Sequence, residues 1–152
     1  MEEDLKVKDI MTKDVVVLAL DTPISEAAHL LIERNFTGAP VLNKGRLVGI
    51  VTEADFLAED GAIHLPTFLF FFCKLKIFKR DETRFKEEFH KFLNTRVEDI
   101  MTKEVITVTP DMKVEELARL FSSKRVNPVP VMKGIDLVGI VSRSDIVKVF
   151  QM

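Results

Sequence analysis

Val7 to Asp55 reads VKDIMTKDVVVLALDTPISEAAHLLIERNFTGAPVLNKGRLVGIVTEAD, and Val97 to Asp145 reads VEDIMTKEVITVTPDMKVEELARLFSSKRVNPVPVMKGIDLVGIVSRSD. The two stretches align at a constant offset of ninety residues, without a gap. Extended to residues 59 and 149, the alignment holds nineteen identities in fifty-three positions. Most other positions exchange like for like. A repeat of this kind decides the architecture before any local reading, because each copy is one unit that packs on the other. The expectation is two similar units about a pseudo-two-fold axis, with whatever one binds echoed in the other. Units of roughly fifty residues bury too little surface to stand alone, so the halves are expected to share one core.

Each copy gives the same string of elements. Val15 to Leu18 is apolar and β-branched, bounded by charge and by Asp21, Thr22 and Pro23, which predicts a short buried strand. Ile24, Ala27, Ala28 and Leu31 follow at helical spacing, as do Val114, Leu117, Ala118 and Phe121. Asp21 or Thr22 is the expected cap of the first helix, with Pro23 in its first turn, and Asp111 that of the second. Pro40 to Leu42 and Arg46 to Val51 form a hairpin turning at Lys44 and Gly45. Pro130 to Met132 and Asp136 to Val141 form its counterpart, turning near Lys133 and Gly134. A closing helix follows each: Glu53 to about Asp60, and Arg143 to Phe150. The fold class is therefore α/β: two β-α-β-β-α units, each with a small three-stranded sheet. The divisions are 1–60, an insert at 61–96, and 97–152.

The insert has no counterpart after the second copy. Eight of the twelve phenylalanines lie in it: Phe68, Phe70, Phe71, Phe72, Phe78, Phe85, Phe89 and Phe92. Two helices are expected there. Apolar aromatic density beside a core already filled by the repeats points to a surface covered by a second copy, giving a homodimer. Its densest apolar run, Phe68 to Cys73, falls far short of the ~20 residues that span a bilayer, and Lys74 and Lys76 follow, so no membrane partner is expected.

Bulk properties remove other classes. The net charge of -2 in 152 residues gathers neither nucleic acid nor anionic lipid. The basic cluster Lys74, Lys76, Lys79 and Arg80 is offset by Asp81, Glu82, Glu87 and Glu88, so nucleic-acid binding ranks low. Cys73 is the only cysteine. It shares no ligand spacing with His29, His64 or His90, so no metal is expected. The acidic start MEEDLKVKD lacks the pattern of a signal peptide, which makes a cytoplasmic location the expectation. Neither a Walker-type loop nor a G-x-S-x-G elbow occurs, and no catalytic residue is assigned.

The strongest local signal is Gly49 to Asp55, GIVTEAD, matched by Gly139 to Asp145, GIVSRSD. Each stands at a strand-to-helix junction, with a hydroxyl three residues before an aspartate. Two readings are open. In one, Thr52 with Asp55 and Ser142 with Asp145 are capping boxes that close their own helix ends. In the other, helix N-termini offer N–H groups to phosphate, and the carboxylates accept ribose hydroxyls, as acidic residues do in dinucleotide folds. Ser144 is small and Arg143 can pair with phosphate. Before the second strand of each copy stand Thr37, Gly38, Ala39 and Pro40, and Asn127, Pro128, Val129 and Pro130. These are either ordinary loops or backbone edges that meet a base.

At these residues the chain resembles a tandem pair of cystathionine-β-synthase (CBS) domains, a Bateman module. The resemblance covers both repeats. It rests on the doubled D-I-M-T-K at Asp9 to Lys13 and Asp99 to Lys103, the proline before the second strand, and both G-I-V-[TS]-x-x-D endings. It implies CBS-type units and a regulatory, non-enzymatic role. The implied ligands are AMP, ADP, ATP or S-adenosylmethionine, bound in two clefts that each draw on both repeats. One cleft would combine Val16, Val17, Thr37, Gly38, Ala39 and Pro40 with Ser142, Arg143, Ser144 and Asp145. The other would combine Ile106, Thr107, Asn127, Pro128, Val129 and Pro130 with Thr52, Glu53 and Asp55. Gly38 and Arg143 favour phosphate in the first, whereas Pro128 and Glu53 disfavour it in the second. The Asp145 cleft is therefore expected to bind nucleotide more tightly, leaving the second weak, empty or suited to S-adenosylmethionine. Output is expected to pass to an effector protein or through the oligomer. The alternative is an assembly module whose clefts hold no ligand.

Overall fold

The computed structural model describes residues 5–56, 90 and 94–152. The insert falls almost wholly outside them, so its two expected helices and dimer face lie outside the described residues. So does the first copy's closing helix beyond Phe56. The first copy runs α1 (Val7–Ile10), β1 (Leu18–Ala19), α2 (Ile24–Arg34), β2 (Gly38–Asn43) and β3 (Arg46–Thr52), ending in a 3-10 turn at Glu53–Phe56. The second runs α3 (Val97–Ile100), α4 (Val114–Ser123), β4 (Val129–Lys133), β5 (Asp136–Val141) and α5 (Arg143–Val149).

The opening strand is shorter than the sequence predicts. β1 holds two residues, parallel to β2 through Leu18↔Val41 and Ala19↔Leu42. The second copy keeps only the bridge Val108↔Val131, leaving a two-stranded sheet rather than three. Val15, Val16 and Val17 precede the pairing, and Val17 is exposed. The hairpins register as expected, Gly38↔Thr52 to Asn43↔Arg46 and Val129↔Val141 to Lys133↔Asp136, each with one bulge at the same place. Lys44 and Gly45 both take positive φ in the first turn. The second turn sits one residue later than predicted, at Gly134 and Ile135, because Gly134 is its positive-φ residue.

α2 buries Ile24, Ala27, Ala28 and Leu31, the stripe that the spacing predicts. Its cap is Pro23 rather than Asp21 or Thr22, and α4 is capped by Lys113 rather than Asp111. Asp111 is drawn instead to Lys6 and Lys8, at 3.3 and 3.0 Å. The hydrogen bond from Lys8, followed by that from Lys6, holds the Asp111 carboxyl below its ordinary value, and Asp111 raises the Lys8 ammonium. The depressed carboxyl contributes above its unfolded pKa and is lost as pH falls through the folded one. The raised ammonium contributes below its unfolded pKa and is lost in strong base. This exposed clamp is therefore in force at neutral pH and loosens on acidification.

Among the described residues the halves do not share one core. Two clusters form, and each takes in the opening turn of the other copy. Val97 and Ile100 are buried with Leu18, Ile24, Leu31, Val41 and Val51. Val7 is buried with Leu117, Phe121, Val129 and Val141. Backbone bonds fix the exchange. Thr12 and Ile140 donate to each other's carbonyls at 2.9 and 3.0 Å, and Thr102 and Ile50 do the same at 2.9 and 3.0 Å. Met11 packs on Gly139 and Met101 on Gly49, where an added Cβ would meet sulfur at 2.5 and 2.6 Å. Each of these backbone and methionine contacts has its mirror ninety residues away, which is the signature of a pseudo-two-fold axis.

The axis is located by residues that touch their own counterparts. Asn127 donates to Thr37 Oγ1 at 3.3 Å. A Cβ at Gly38 would stand 2.7 Å from Pro128 Cδ and 2.8 Å from the Val51 carbonyl oxygen. Gly38→Ala therefore forces backbone apart at the axis and is expected to cost about 1–3 kcal/mol, read as a lower denaturation midpoint in urea. A midpoint equal to the parent's contradicts this packing.

Candidate functional site

Both junction aspartates turn back onto their own chain. Asp55 Oδ2 accepts from the Thr52 backbone at 2.8 Å and the Thr52 hydroxyl at 3.3 Å. Asp145 Oδ2 accepts from the Ser142 backbone at 2.8 Å and the Ser142 hydroxyl at 3.0 Å. One half of the capping reading is realised twice: each aspartate reaches back to its own junction's backbone N–H. A carboxylate has a second oxygen, however, and there the copies part. Asp145 Oδ1 is met by Lys148 Nζ at 3.2 Å, and the residue is only 7% exposed. The position aligned with Lys148 is Ala58, which has no charge to offer. Asp55 Oδ1 instead accepts from Thr102 Oγ1 of the other copy at 3.0 Å.

In front of Asp55 lies a cavity of about 1010 Å³ between the copies, at the upper end of the range for small-molecule sites. The first copy contributes Thr37, Ile50, Thr52, Glu53 and Asp55. The second contributes Thr102, Glu104 and Ile106 from its opening segment, Lys124 to Pro128 from its loop, and Phe121, Arg143 and Ile146 from its helices. The walls are mixed. Ile50, Val105, Ile106 and Pro128 offer apolar faces, Thr52 and Thr102 offer hydroxyls, and charges of both signs line the space.

The residues grouped by sequence are distributed unevenly. Ile106, Asn127, Pro128, Thr52, Glu53 and Asp55 line this one cavity. Thr107 is exposed and does not line it, and Val129 and Pro130 are buried in β4. Of the other group, Ala39 and Pro40 are buried in β2 and Val17 is exposed. Ser144 is exposed, its hydroxyl 2.7 Å from that of Ser142. Two of that group sit elsewhere than expected. Thr37 and Arg143 line the Asp55 cavity. Arg143 is turned there by its backbone bond to Asn127 Oδ1, at 2.9 Å, and by its guanidinium bond to the Phe121 carbonyl, at 3.4 Å. Gly38 offers no close approach to a ligand, because Pro128 fills that space. The expected preference for the Asp145 side loses Gly38 and Arg143 as grounds, whereas Pro128 and Glu53 line the Asp55 cavity as expected.

Thr102, Glu104, Lys124 and Arg125 were not singled out by sequence. Thr102 carried a signal nonetheless: it is the threonine of the repeated D-I-M-T-K, a polar residue kept in both copies without a role in either local element. Among the described residues no group of acidic, histidine or cysteine side chains is placed to hold a metal, and no helix is long and apolar enough to cross a membrane.

The CBS domain family matches the chain twice, at residues 7–61 and 97–151. The chain is 36% identical to the uncharacterized protein MJ1426 of Methanocaldococcus jannaschii, over 96% of this chain and 91% of that one. It spans 49% or less of three further relatives from that organism. Among solved structures it resembles CBSX2 of Arabidopsis thaliana in complex with AMP, at 27% identity and TM-score 0.71, covering 96% of each chain. It also resembles the CBS domain pair of protein MJ0100 in complex with 5′-methylthioadenosine and S-adenosyl-L-methionine, at 28% identity and TM-score 0.69, covering 97% of this chain and 96% of that one.

The closed state of Asp145 makes it a structural group. Asp145→Ala removes an acceptor for two donors at the start of α5 and is expected to cost about 1–2 kcal/mol of stability, measured by urea unfolding. A loss under a few tenths would show that the carboxylate is not holding the helix end.

Proposed function

Because the chain belongs to the CBS domain family, we propose that it is a regulatory module whose Asp55 cavity binds an adenosine-containing ligand (AMP, ADP, ATP or S-adenosylmethionine). The observation that carries this reading is the cavity itself. It is large enough for a nucleoside with a substituent, it is walled by both copies, and Asp55 faces it with a carboxylate held in place. Asp55 Oδ1 and the Thr102 hydroxyl stand together where vicinal ribose hydroxyls can exchange bonds with them. Ile106 and Pro128 supply apolar faces for a flat base. The likeness to folds that hold AMP in one case and S-adenosyl-L-methionine in another supports the same ligand class.

The role is regulatory rather than catalytic. A ligand lodged here touches the junction of one copy and the opening segment of the other, so it binds more tightly to one inter-repeat arrangement than to its alternatives and shifts their balance. That shift passes to a second copy of the chain or to an effector protein. The assembly reading, in which no ligand binds, draws on one observation: Asp145 and Gly38 are both sealed by protein atoms.

Calorimetric titration with AMP and S-adenosylmethionine separates the two readings. The expected result is one site per chain. Asp55→Ala is expected to lose at least about tenfold in affinity, while Asp145→Ala, once its folding is verified, retains it. Ligand at 100 times its dissociation constant is expected to raise stability by about 2.7 kcal/mol. Silence towards both ligands favours the assembly reading, and loss confined to Asp145→Ala places the site on the other side.

A further inference from the structure

A chain of hydrogen bonds crosses the pseudo-two-fold axis from one junction to the other. Asp55 Oδ2 holds the Thr52 N–H at 2.8 Å, and the next residue, Glu53, donates its N–H to the Thr37 carbonyl at 3.0 Å. Thr37 Oγ1 accepts from Asn127 Nδ2 at 3.3 Å. Asn127 Oδ1 accepts from the Arg143 N–H at 2.9 Å. The residue before Arg143 is Ser142, whose N–H is held by Asp145 Oδ2 at 2.8 Å. Each junction is thus tied to the loop before its own hairpin, and the two loops are tied to each other.

The two ends of this chain are built differently. Glu53 rests on a main-chain carbonyl, which stays in place whatever the Thr37 side chain does. Arg143, at the aligned position, rests on a side chain. A backbone N–H only donates, so the atom that faces Arg143 is the carboxamide oxygen, and the nitrogen is left to face Thr37. Oxygen and nitrogen lie on one rigid plane, so the direction of Oδ1 depends on the bond that Nδ2 makes. That bond is partly buried, where it competes less with water than it would on the surface. Behind it the loops already touch, since an added methyl on Gly38 would stand 2.7 Å from Pro128 Cδ. They can separate but cannot close further.

We propose that Asn127 is a positioning residue that joins the two junctions into one cooperative unit, so that loosening the Asp55 junction loosens the start of α5. The Asp55 junction is the adjustable end, because its second carboxylate oxygen rests on an exposed threonine of the other copy, Thr102. The Asp145 junction is the receiving end, already closed by Lys148. Coupling between two places requires an element whose state both of them bias, and the Asn127 carboxamide is that element. Whatever engages Asp55 is thereby felt at the first turn of α5. The coupling calls for no particular ligand and stands whether or not the cavity takes an adenosine.

Amide hydrogen exchange of the full chain, followed by NMR without ligand, tests this. The readout is exchange at the Arg143 N–H relative to the Met132 N–H, which is bonded to the Val108 carbonyl at 2.8 Å and reports opening of the whole second copy. Asp55→Ala is expected to speed exchange at Arg143 at least about threefold against that reference. Where Thr37→Val has removed the hydroxyl, the same change is expected to speed it by no more than about 1.5-fold. Thr37→Ser keeps a hydroxyl and is expected to restore the full response. Where Asp55→Ala does not fold, Thr102→Val, which takes a single hydroxyl from Asp55 Oδ1, is used in its place with the same pattern expected. An Arg143 amide that ignores the Asp55 junction overturns the inference. So does a response of equal size with and without the Thr37 hydroxyl, which is what a merely structural Asn127 would give. Neither outcome bears on adenosine binding, which the calorimetric titration decides separately.

Discussion

The exchange of opening turns between the two copies is the constraint on which the rest of the molecule depends. Thr12 bonds to Ile140 and Thr102 to Ile50, carbonyl to N–H in both directions, and Val7 and Val97 are buried in each other's copies. Neither copy has a complete core without the other's first residues. The inter-repeat cavity is a by-product of this arrangement. The segment that leaves α3 runs past the first copy's junction, and so brings Thr102, Glu104 and Ile106 opposite Asp55. A site assembled this way is sensitive to how the copies sit together, which is the property a sensor needs.

Duplication gives two junctions of the same form, and small local differences make them unlike. Lys148 stands where the first copy has Ala58, and it occupies the carboxylate oxygen that Asp55 leaves to Thr102. Lys148 is exposed, so the ion pair itself contributes little to stability, while Asp145 is almost wholly buried. Arg143 and Arg125 stand where the first copy has Glu53 and Asn35. The pseudo-symmetry of the scaffold is therefore strong in its backbone and broken in its chemistry.

Much of this was legible in the chain. The repeat fixed the number of units, and helical spacing picked out the α2 stripe of Ile24, Ala27, Ala28 and Leu31. The hairpins followed from apolar runs around a turn. What escaped was long-range or directional. Nothing in D-I-M-T-K says that its valine and isoleucine neighbours bury themselves in the other copy, since that burial is a contact across ninety residues. The length of β1 was over-read because β-branched residues at 15–17 favour strand, yet among the described residues no strand pairs with them. Gly38 looked like room for a ligand, and the room is taken by Pro128. The resemblance places Arg143 with Asp145, whereas its guanidinium bonds the Phe121 carbonyl and it lines the Asp55 cavity. Lys148 was readable, three residues after an aspartate on a helix, and it is what closes that aspartate.

The most direct test of the account is a crystal structure of the chain grown with AMP. The account predicts density for one nucleotide in the inter-repeat cavity, its ribose on Asp55 and Thr102 and its base against Ile106 and Pro128, with the Asp145–Lys148 pair intact. Density in front of Asp145, or an inter-repeat cavity still empty at saturating nucleotide, would contradict it.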